Sequence, residues 1–277
     1  MASTSEGGNG RPNIGLLVSD IDGTLVRPDK TIAPATIEAV TRLRDAGIHF
    51  SIISARPARG MRYPIETLRI DQPTAAFNGG TITRADGTIA MAKHLSDEAA
   101  GLALEFLDRA QVEIWVFADG KWITRDPDGE FVPRERRAVG FEPTIVPDFA
   151  GITRIDKIVG ASSDHPRLAG LEGELAGLLG ERAHAVRSQA YYLDVTHPEA
   201  DKGHGVAALA EVMGLPVDRV AVIGDAPNDV PMFRRAALSI AMGQAFDEVK
   251  AEATYVTTTN EEDGIARAIE RFILPAG

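Results

Sequence analysis

The stretch Leu16-Leu17-Val18-Ser19-Asp20-Ile21-Asp22-Gly23-Thr24-Leu25 decides how this chain reads. The apolar run Ile14 to Val18 has the character of an inner strand of a parallel sheet, covered on both faces. Ligands bind such sheets outside the carboxyl ends of the strands, so Asp20 is aimed at a crevice. Side chains two apart in a strand share a face, and Gly23 with the turn after it can re-aim Asp22 toward the same small group. The same residues also suit an ordinary Asp-Gly turn, with both carboxylates capping the next segment and Gly23 supplying a positive φ.

Three further stretches occur in order. The apolar strand Ile48 to Ile53 ends in Ser54-Ala55-Arg56, a helix starts at Lys202 after Ala200-Asp201, and the strand Val220 to Ile223 runs into Gly224-Asp225-Ala226-Pro227-Asn228-Asp229. Taken with Asp20-Ile21-Asp22-Gly23-Thr24, these four stretches resemble the motifs of the haloacid dehalogenase-like hydrolases, which act mostly on phosphate esters. Two departures stand out. An Ala precedes Arg56 where many relatives carry Gly, which makes Ser54 the firmer assignment of that motif, and Pro227 removes one backbone donor in a loop that tolerates the loss.

The resemblance implies a division of labour. Asp20 is the nucleophile, and Asp22 protonates the leaving group and then deprotonates water. Ser54 hydrogen-bonds the transferred phosphoryl group, and Lys202 neutralises charge between nucleophile and phosphate. Mg²⁺ is the implied cofactor, because a carboxylate meeting an anionic phosphate is repelled unless a hard cation intervenes. Asp20, the backbone carbonyl of Asp22, Asp225 and Asp229 are the implied metal site, with Asp229 and Asn228 supporting it from close by. Ala55 and the turn Asn78-Gly79-Gly80 resemble family segments that lie beside the phosphate; an ordinary loop turn accounts for the glycines equally well. An Asp at position 22 implies a phosphatase or phosphomutase rather than a dehalogenase.

Composition agrees with an enzyme of small metabolites. At 277 residues and 44% hydrophobic content the chain can build a sizeable core and is expected to form two domains. Absence of Cys excludes disulfides, thiolate catalysis and Cys-based zinc sites, and suits a reducing cytosol. The formal charge of −11 argues against a nucleic-acid partner. No membrane partner is expected either, and a cytoplasmic monomer or small homo-oligomer is the expectation. Residues 1–12, small, polar and Gly-rich, read as a disordered tail.

The expected fold class is α/β: a doubly wound, mostly parallel Rossmann-like core sheet carrying an inserted α/β cap domain. The core comprises 13–82 and 192–277, with a helix from Pro34 to Ala46, a third strand from Ala75 to Asn78, and helices at Lys202 to Met213, Val230 to Ala236 and Glu262 to Ile273. The insert, 83–191, offers helices Asp97 to Ala110 and Arg167 to Leu179 among shorter, more polar strands. Its place between the second and third motifs is similar to that in the Cof-type branch. Trp115, Trp122, Arg125, Arg154, Tyr191 and Tyr192 are candidates to line a substrate pocket, although aromatics on a small sheet more often form core. His197 reads as a hinge or rim residue, and Asn260-Glu261-Glu262-Asp263-Gly264 as a turn before the last helix. The implied activity is Mg²⁺-dependent phosphatase action on small phosphorylated metabolites, sugar phosphates leading. Alternatives are a phosphomutase, a specialised phosphatase of a phosphorylated glycoside or glycerate, and a non-catalytic sensor.

Overall fold

The computed structural model describes residues 13–274; the expected N-terminal tail lies outside them. In chain order the elements are β1 (Leu16–Ser19), α1 (Pro34–Asp45), β2 (His49–Ile52), α2 (Arg62–Leu68), β3 (Thr74–Ala76), β4 (Thr81–Thr83), β5 (Ile89–Ala92), α3 (Asp97–Arg109), β6 (Glu113–Ala118), β7 (Lys121–Thr124), α4 (Val132–Val139), β8 (Thr144–Ile145), β9 (Ile155–Ala161), α5 (His165–Leu179), β10 (His184–Gln189) and β11 (Tyr192–Thr196). There follow α6 (Lys202–Val212), β12 (Val220–Gly224), α7 (Val230–Phe233), β13 (Leu238–Ala241), α8 (Asp247–Ala251), β14 (Tyr255–Val256) and α9 (Gly264–Ala268), which continues as a π-helical stretch, Ile269–Ile273.

The five core strands run in the order β14-β13-β12-β1-β2, all parallel. Every residue of β1 and β12 is buried, as a sheet covered on both faces requires. Leu17, Ala221, Ile223 and Ile240 face the layer of α1 and α9, while Leu16, Val18, Val220 and Val222 face that of α6 and α7. This is the doubly wound arrangement. It brings the ends of β1 and β12 side by side, in register at Ser19 and Ile223.

The six-stranded second sheet, β10-β11-β9-β6-β7-β8, is antiparallel except where β8 joins β7. Its alternation is regular. Ile114, Val116, Ile158, Leu193 and Val195 pack under α3 and α5, whereas Trp115, Phe117, Trp122 and Val159 turn toward the core domain. The stacked order closes the cap sheet onto the core through Phe117, whose ring lies 5.8 Å from that of Phe77.

Some elements differ from the sequence reading. The expected third core strand, Ala75 to Asn78, is instead β3 of a three-stranded antiparallel sheet with β4 and β5, tied to the core by the bridge Ile53 to Ala75 and by backbone bonds from Phe77 and Asn78 to the segment after β2. The cause is the turn at Phe77–Gly79, where three successive residues take positive φ (50°, 56° and 97°) and fold the chain back on itself. The second sheet also runs on to Thr196 in β11, past residue 191, because Leu193 and Val195 alternate with polar residues as a one-sided strand does. Helix α7 is shorter than expected, ending at Phe233.

Candidate active site

The end of β1 delivers Asp20, and its amide donates to the Ile223 carbonyl (2.9 Å) at the end of β12. Asp225 and Asp229 follow on the loop and 3₁₀ turn after β12. Helix α6 begins at Lys202 because the Asp201 side chain accepts from the amides of Gly203 (2.8 Å) and His204 (3.1 Å), an N-cap that places the lysine in the first turn. Lys202 is 1% exposed, and its Nζ donates to Asp20 Oδ1 and Asp229 Oδ1, both at 2.6 Å. Asp229 is wholly committed. Its Oδ2 accepts from the amides of Asp225 (2.8 Å) and Ala226 (2.9 Å), so it orients the loop as well as the lysine. Thr24 donates to Asp225 Oδ1 (2.8 Å).

The helix reaches this position through a close approach. A Cβ on Gly79 would lie 2.3 Å from Gly205 Cα of α6, and Gly79 holds φ +97°. Only a glycine fits a backbone that is left-handed and in contact with another backbone. Asn78, in the same turn, accepts from the Asn228 side-chain amide (3.3 Å), joining the second strand's region to the loop after β12. Ser54 is buried beside them, its hydroxyl accepting from the Arg56 amide (3.2 Å), with Ala55 half-buried between.

Charge is unbalanced here. Carboxylate oxygens of Asp20, Asp225 and Asp229 lie within 4.8 Å of one another, with Lys202 as the cation among them. Burial, with the Asp229 carboxylate, raises Asp20 well above the carboxylate range against the pull of Lys202. Asp225 is pushed up to about 6 by burial and Asp229, despite the Thr24 bond. Burial works to lower the ammonium of Lys202, but Asp20 and Asp229 outweigh it and hold the charge firmly in place. Three hard oxygen donors crowded together and short of positive charge are what a small divalent cation satisfies. The residues fit Mg²⁺, with Asp20 and Asp225 the free donors.

Asp22 sits apart from that triad. Its carboxylate takes a bidentate pair from Arg56 (Nε and a terminal nitrogen, each 2.7 Å) and a third bond from Lys30 (2.8 Å). Burial opposes its ionisation, yet Arg56 and Lys30 outweigh that and hold the carboxyl below its usual range. Arg56, ranked below Ser54 in the sequence reading, is thus the residue that grips Asp22. The segment after Asp22 is pinned from the far end of the chain. Asn260 donates to the Val26 carbonyl (2.9 Å), Gln244 to the Gly23 carbonyl, and Arg27 pairs with Asp263 (3.0 Å). Asn260 and Asp263 therefore hold structure, in line with the turn reading.

The other candidates fall elsewhere. Trp115 and Trp122 are fully buried against each other, edge to face. Arg125 pairs with Asp108 and Arg154 with Asp119, both at 2.6 Å and partly exposed, and Tyr191 stacks on Phe131. His197 lies in the link from β11 to α6, its Nδ1 accepting from the Glu199 amide (3.0 Å). Lys30 and Gln244 are absent from the sequence reading, and the contacts made by Thr24 and Asn260 are not part of it. No local pattern marks them, since each acquires its partner only through folding.

Residues 17–269 match the family model of haloacid dehalogenase-like hydrolases, and the chain belongs to that family. It is 28% identical to the Bacillus subtilis 5-amino-6-(5-phospho-D-ribitylamino)uracil phosphatase YwtE, covering 92% of this chain and 96% of that one. It is 26% identical to the pyridoxal phosphate phosphatase YbhA of Escherichia coli over 94% of this chain and 98% of the relative. Among solved structures, a haloacid dehalogenase-like hydrolase from Bacteroides thetaiotaomicron superposes with a TM-score of 0.86 at 29% identity, covering 93% of this chain and 99% of that one. Among the described residues, no helix is long and apolar enough to cross a membrane.

Proposed function

We propose that the protein is a Mg²⁺-dependent phosphatase of small phosphorylated metabolites, working through a phosphoryl-enzyme on Asp20. The observation that carries this reading is Asp20 itself: a buried carboxylate at the end of β1, fixed by Lys202 through one oxygen and grouped with Asp225 and Asp229. Relatives named as phosphatases of ribitylaminouracil phosphate and pyridoxal phosphate support the reaction class.

In this scheme Asp20 attacks phosphorus while the bond from phosphorus to the leaving oxygen breaks. Asp22 gives that oxygen a proton, then takes one from the water that attacks the phosphoryl-Asp20, and inorganic phosphate leaves. Lys202 stays charged throughout and holds the nucleophile's orientation. Ser54, Asn78 and the Asn228 amide form the rim against which the phosphoryl oxygens rest. Bound Mg²⁺ supplies charge neutralisation at the phosphoryl oxygens. Arg56 and Lys30 keep Asp22 ionised in the free protein, so it takes a proton from solvent as a substrate oxygen displaces those bonds, hands it to the leaving oxygen, and regains one from the attacking water.

Phosphate release from sugar phosphates, nucleotides, phosphoglycerates and phosphorylated cofactors, with Mg²⁺ or EDTA, tests the reading beside Asp20→Asn. Metal-dependent release lost in the variant supports it. Release that survives Asp20→Asn removes the covalent scheme, and silence from a folded, Mg²⁺-binding protein points to a phosphomutase or a ligand sensor.

A further inference from the structure

The face that the cap sheet turns toward the core is built on Trp115, Phe117, Trp122 and Val159, and it carries a buried ion pair. On β9 and β11, Lys157 and Asp194 point the same way as Trp115 and Phe117, and Lys157 Nζ donates to Asp194 Oδ2 at 3.1 Å. Each side chain is about nine-tenths buried, at 11% and 10% exposure. Helix α4 brings Glu135 beside this pair, also buried, and the Tyr192 hydroxyl lies next to it. Burial, then the Asp194 carboxylate, hold Glu135 above its usual range against the pull of Lys157.

Ring contacts link this cluster to the turn that carries Asn78. Lys157 Nζ sits 5.3 Å from the centre of the Phe117 ring, Phe117 lies 5.8 Å from Phe77, and Phe77 precedes Asn78 in the strained turn at the site. From the other side, Glu135 lies within the field of Arg56, which holds Asp22.

The cluster has capacity that the protein does not use. Asp194 Oδ1 and Trp122 Nε1 are buried and find no hydrogen-bond partner among the described residues, while the Tyr192 hydroxyl turns to Glu135. An ammonium carries three donors, and Lys157 makes one such bond here. A buried polar atom left unpaired costs about 1–3 kcal/mol, and a buried ion pair is on average no better for stability than apolar side chains of the same size. A purely structural account therefore leaves the second Asp194 oxygen, the Trp122 N–H and the spare Lys157 donors on this face unexplained.

We propose that Lys157, Asp194, Glu135 and Tyr192 form the subsite for the leaving group, one that selects a neutral, hydroxyl-rich molecule and rejects a second anion. The proposal rests on the phosphatase reading. Adjacent hydroxyls each accept and donate, which matches an ammonium donor beside a free carboxylate oxygen. The sign of the charge supplies the rejection. Two carboxylates face one ammonium, and the nearby Arg56 is already engaged by Asp22, so a second phosphate or a carboxylate on the leaving group meets net negative charge in a site of low dielectric.

The test uses the full chain with Mg²⁺ and five probes: ribitol 5-phosphate, glucose 6-phosphate, fructose 1,6-bisphosphate, 3-phosphoglycerate and p-nitrophenyl phosphate. The wild type is expected to prefer the two polyol monophosphates over the bisphosphate and the phosphoglycerate by about a hundredfold in kcat/KM. Asp194→Asn should lower the ratio of kcat/KM for ribitol 5-phosphate to that for p-nitrophenyl phosphate about tenfold, mainly through KM. Glu135→Gln, nearly isosteric, should narrow the preference for monophosphate over bisphosphate and gives an independent reading if Asp194→Asn lowers the melting temperature. A bisphosphate or phosphoglycerate as the best substrate overturns the proposal, as does an unchanged pattern of ratios in a folded variant. If the wild type hydrolyses no probe, p-nitrophenyl phosphate included, the phosphatase reading has failed and the subsite with it. Hydrolysis of the aryl phosphate alone sinks only the subsite.

Discussion

Replacing Lys202 with Met keeps most of the side chain's length and removes the charge that lies 2.6 Å from both Asp20 and Asp229. Two outcomes compete in the variant. If both carboxylates stay ionised, oxygens within 4.8 Å repel by about 3 kcal/mol at an effective dielectric near 20, with added desolvation. If one takes a proton instead, holding a group of unfolded pKa about 3.9 neutral at about pH 7.5 costs about 5 kcal/mol. The folded state takes the cheaper course, so the loss should fall at about 3–5 kcal/mol, the range seen when one partner of a buried ion pair is removed. For a chain this size that is about 6–20 °C in melting temperature. In EDTA the deficit should shrink to about 2 kcal/mol near pH 5.5, because protonation is then cheap. The sign follows from linkage: a carboxyl whose folded pKa is raised stabilises below its unfolded value and loses that contribution as pH rises. Adding Mg²⁺ should restore part of the loss, since a cation replaces the missing charge. Calorimetry of wild type and variant at both pH values, with and without Mg²⁺, reads all three. A loss below about 1 kcal/mol at the higher pH, or one that grows on acidification, would refute the electrostatic account.

Arg56→Ala removes the bidentate grip on Asp22 and should lower kcat on p-nitrophenyl phosphate about tenfold, a fraction of what the proton donor itself supplies; an unchanged kcat means that Asp22 is positioned by something else. Asp225→Asn should raise the Mg²⁺ concentration for half-maximal activity by about tenfold or more, read by metal titration, and an unaltered titration reassigns the ligand. Gly79→Ala drives a Cβ into Gly205 at a left-handed φ, so a loss of about 2–3 kcal/mol in thermal unfolding is expected, with reduced turnover because α6 carries Lys202; a variant as stable as wild type would mean that the two backbones separate freely.

How much of this was legible depends on what each residue answers to. Asp20, Lys202, Asp225 and Asp229 sit at strand ends and a helix start, where chemistry and local structure mark the same position, and they meet in space as the motif order implies. Lys30 carries no such mark, because its partner Asp22 is set by how the segment after β1 folds, and Thr24, though inside the first motif, finds Asp225 only through that fold. Gly79 was legible as a turn beside the phosphate, but its contact with Gly205 depends on a helix more than a hundred residues away. Helix α4, Val132-Pro133-Arg134-Glu135-Arg136-Arg137-Ala138-Val139, escaped notice because only its ends are apolar, and Glu135, a charged residue in a charged stretch, gave no sign of being buried. The pairing of Lys157 with Asp194, and the free second oxygen of Asp194, follow from β9 and β11 lying side by side, which no local pattern marks.

The core site divides into parts of different stiffness, and the division follows the work each part does. Asp20, Lys202 and Asp229 are buried and joined through the Lys202 ammonium, so the Asp20 carboxylate has one orientation. Asp22 is 41% exposed, lies past a glycine turn, and is held by long, flexible cations rather than by backbone. In the proposed scheme Asp22 gives a proton to one oxygen and takes it from another, so it has to shift between them, and a rigid, fully buried carboxylate shifts poorly. Its mobility is bounded by Asn260, Gln244 and Asp263, which tie the segment from Gly23 to Arg27 to the loops after β13 and β14. Under the proposed mechanism, precision at phosphorus thus comes from burial at the strand ends, and tolerance at the leaving oxygen from ion pairs that water and substrate can exchange.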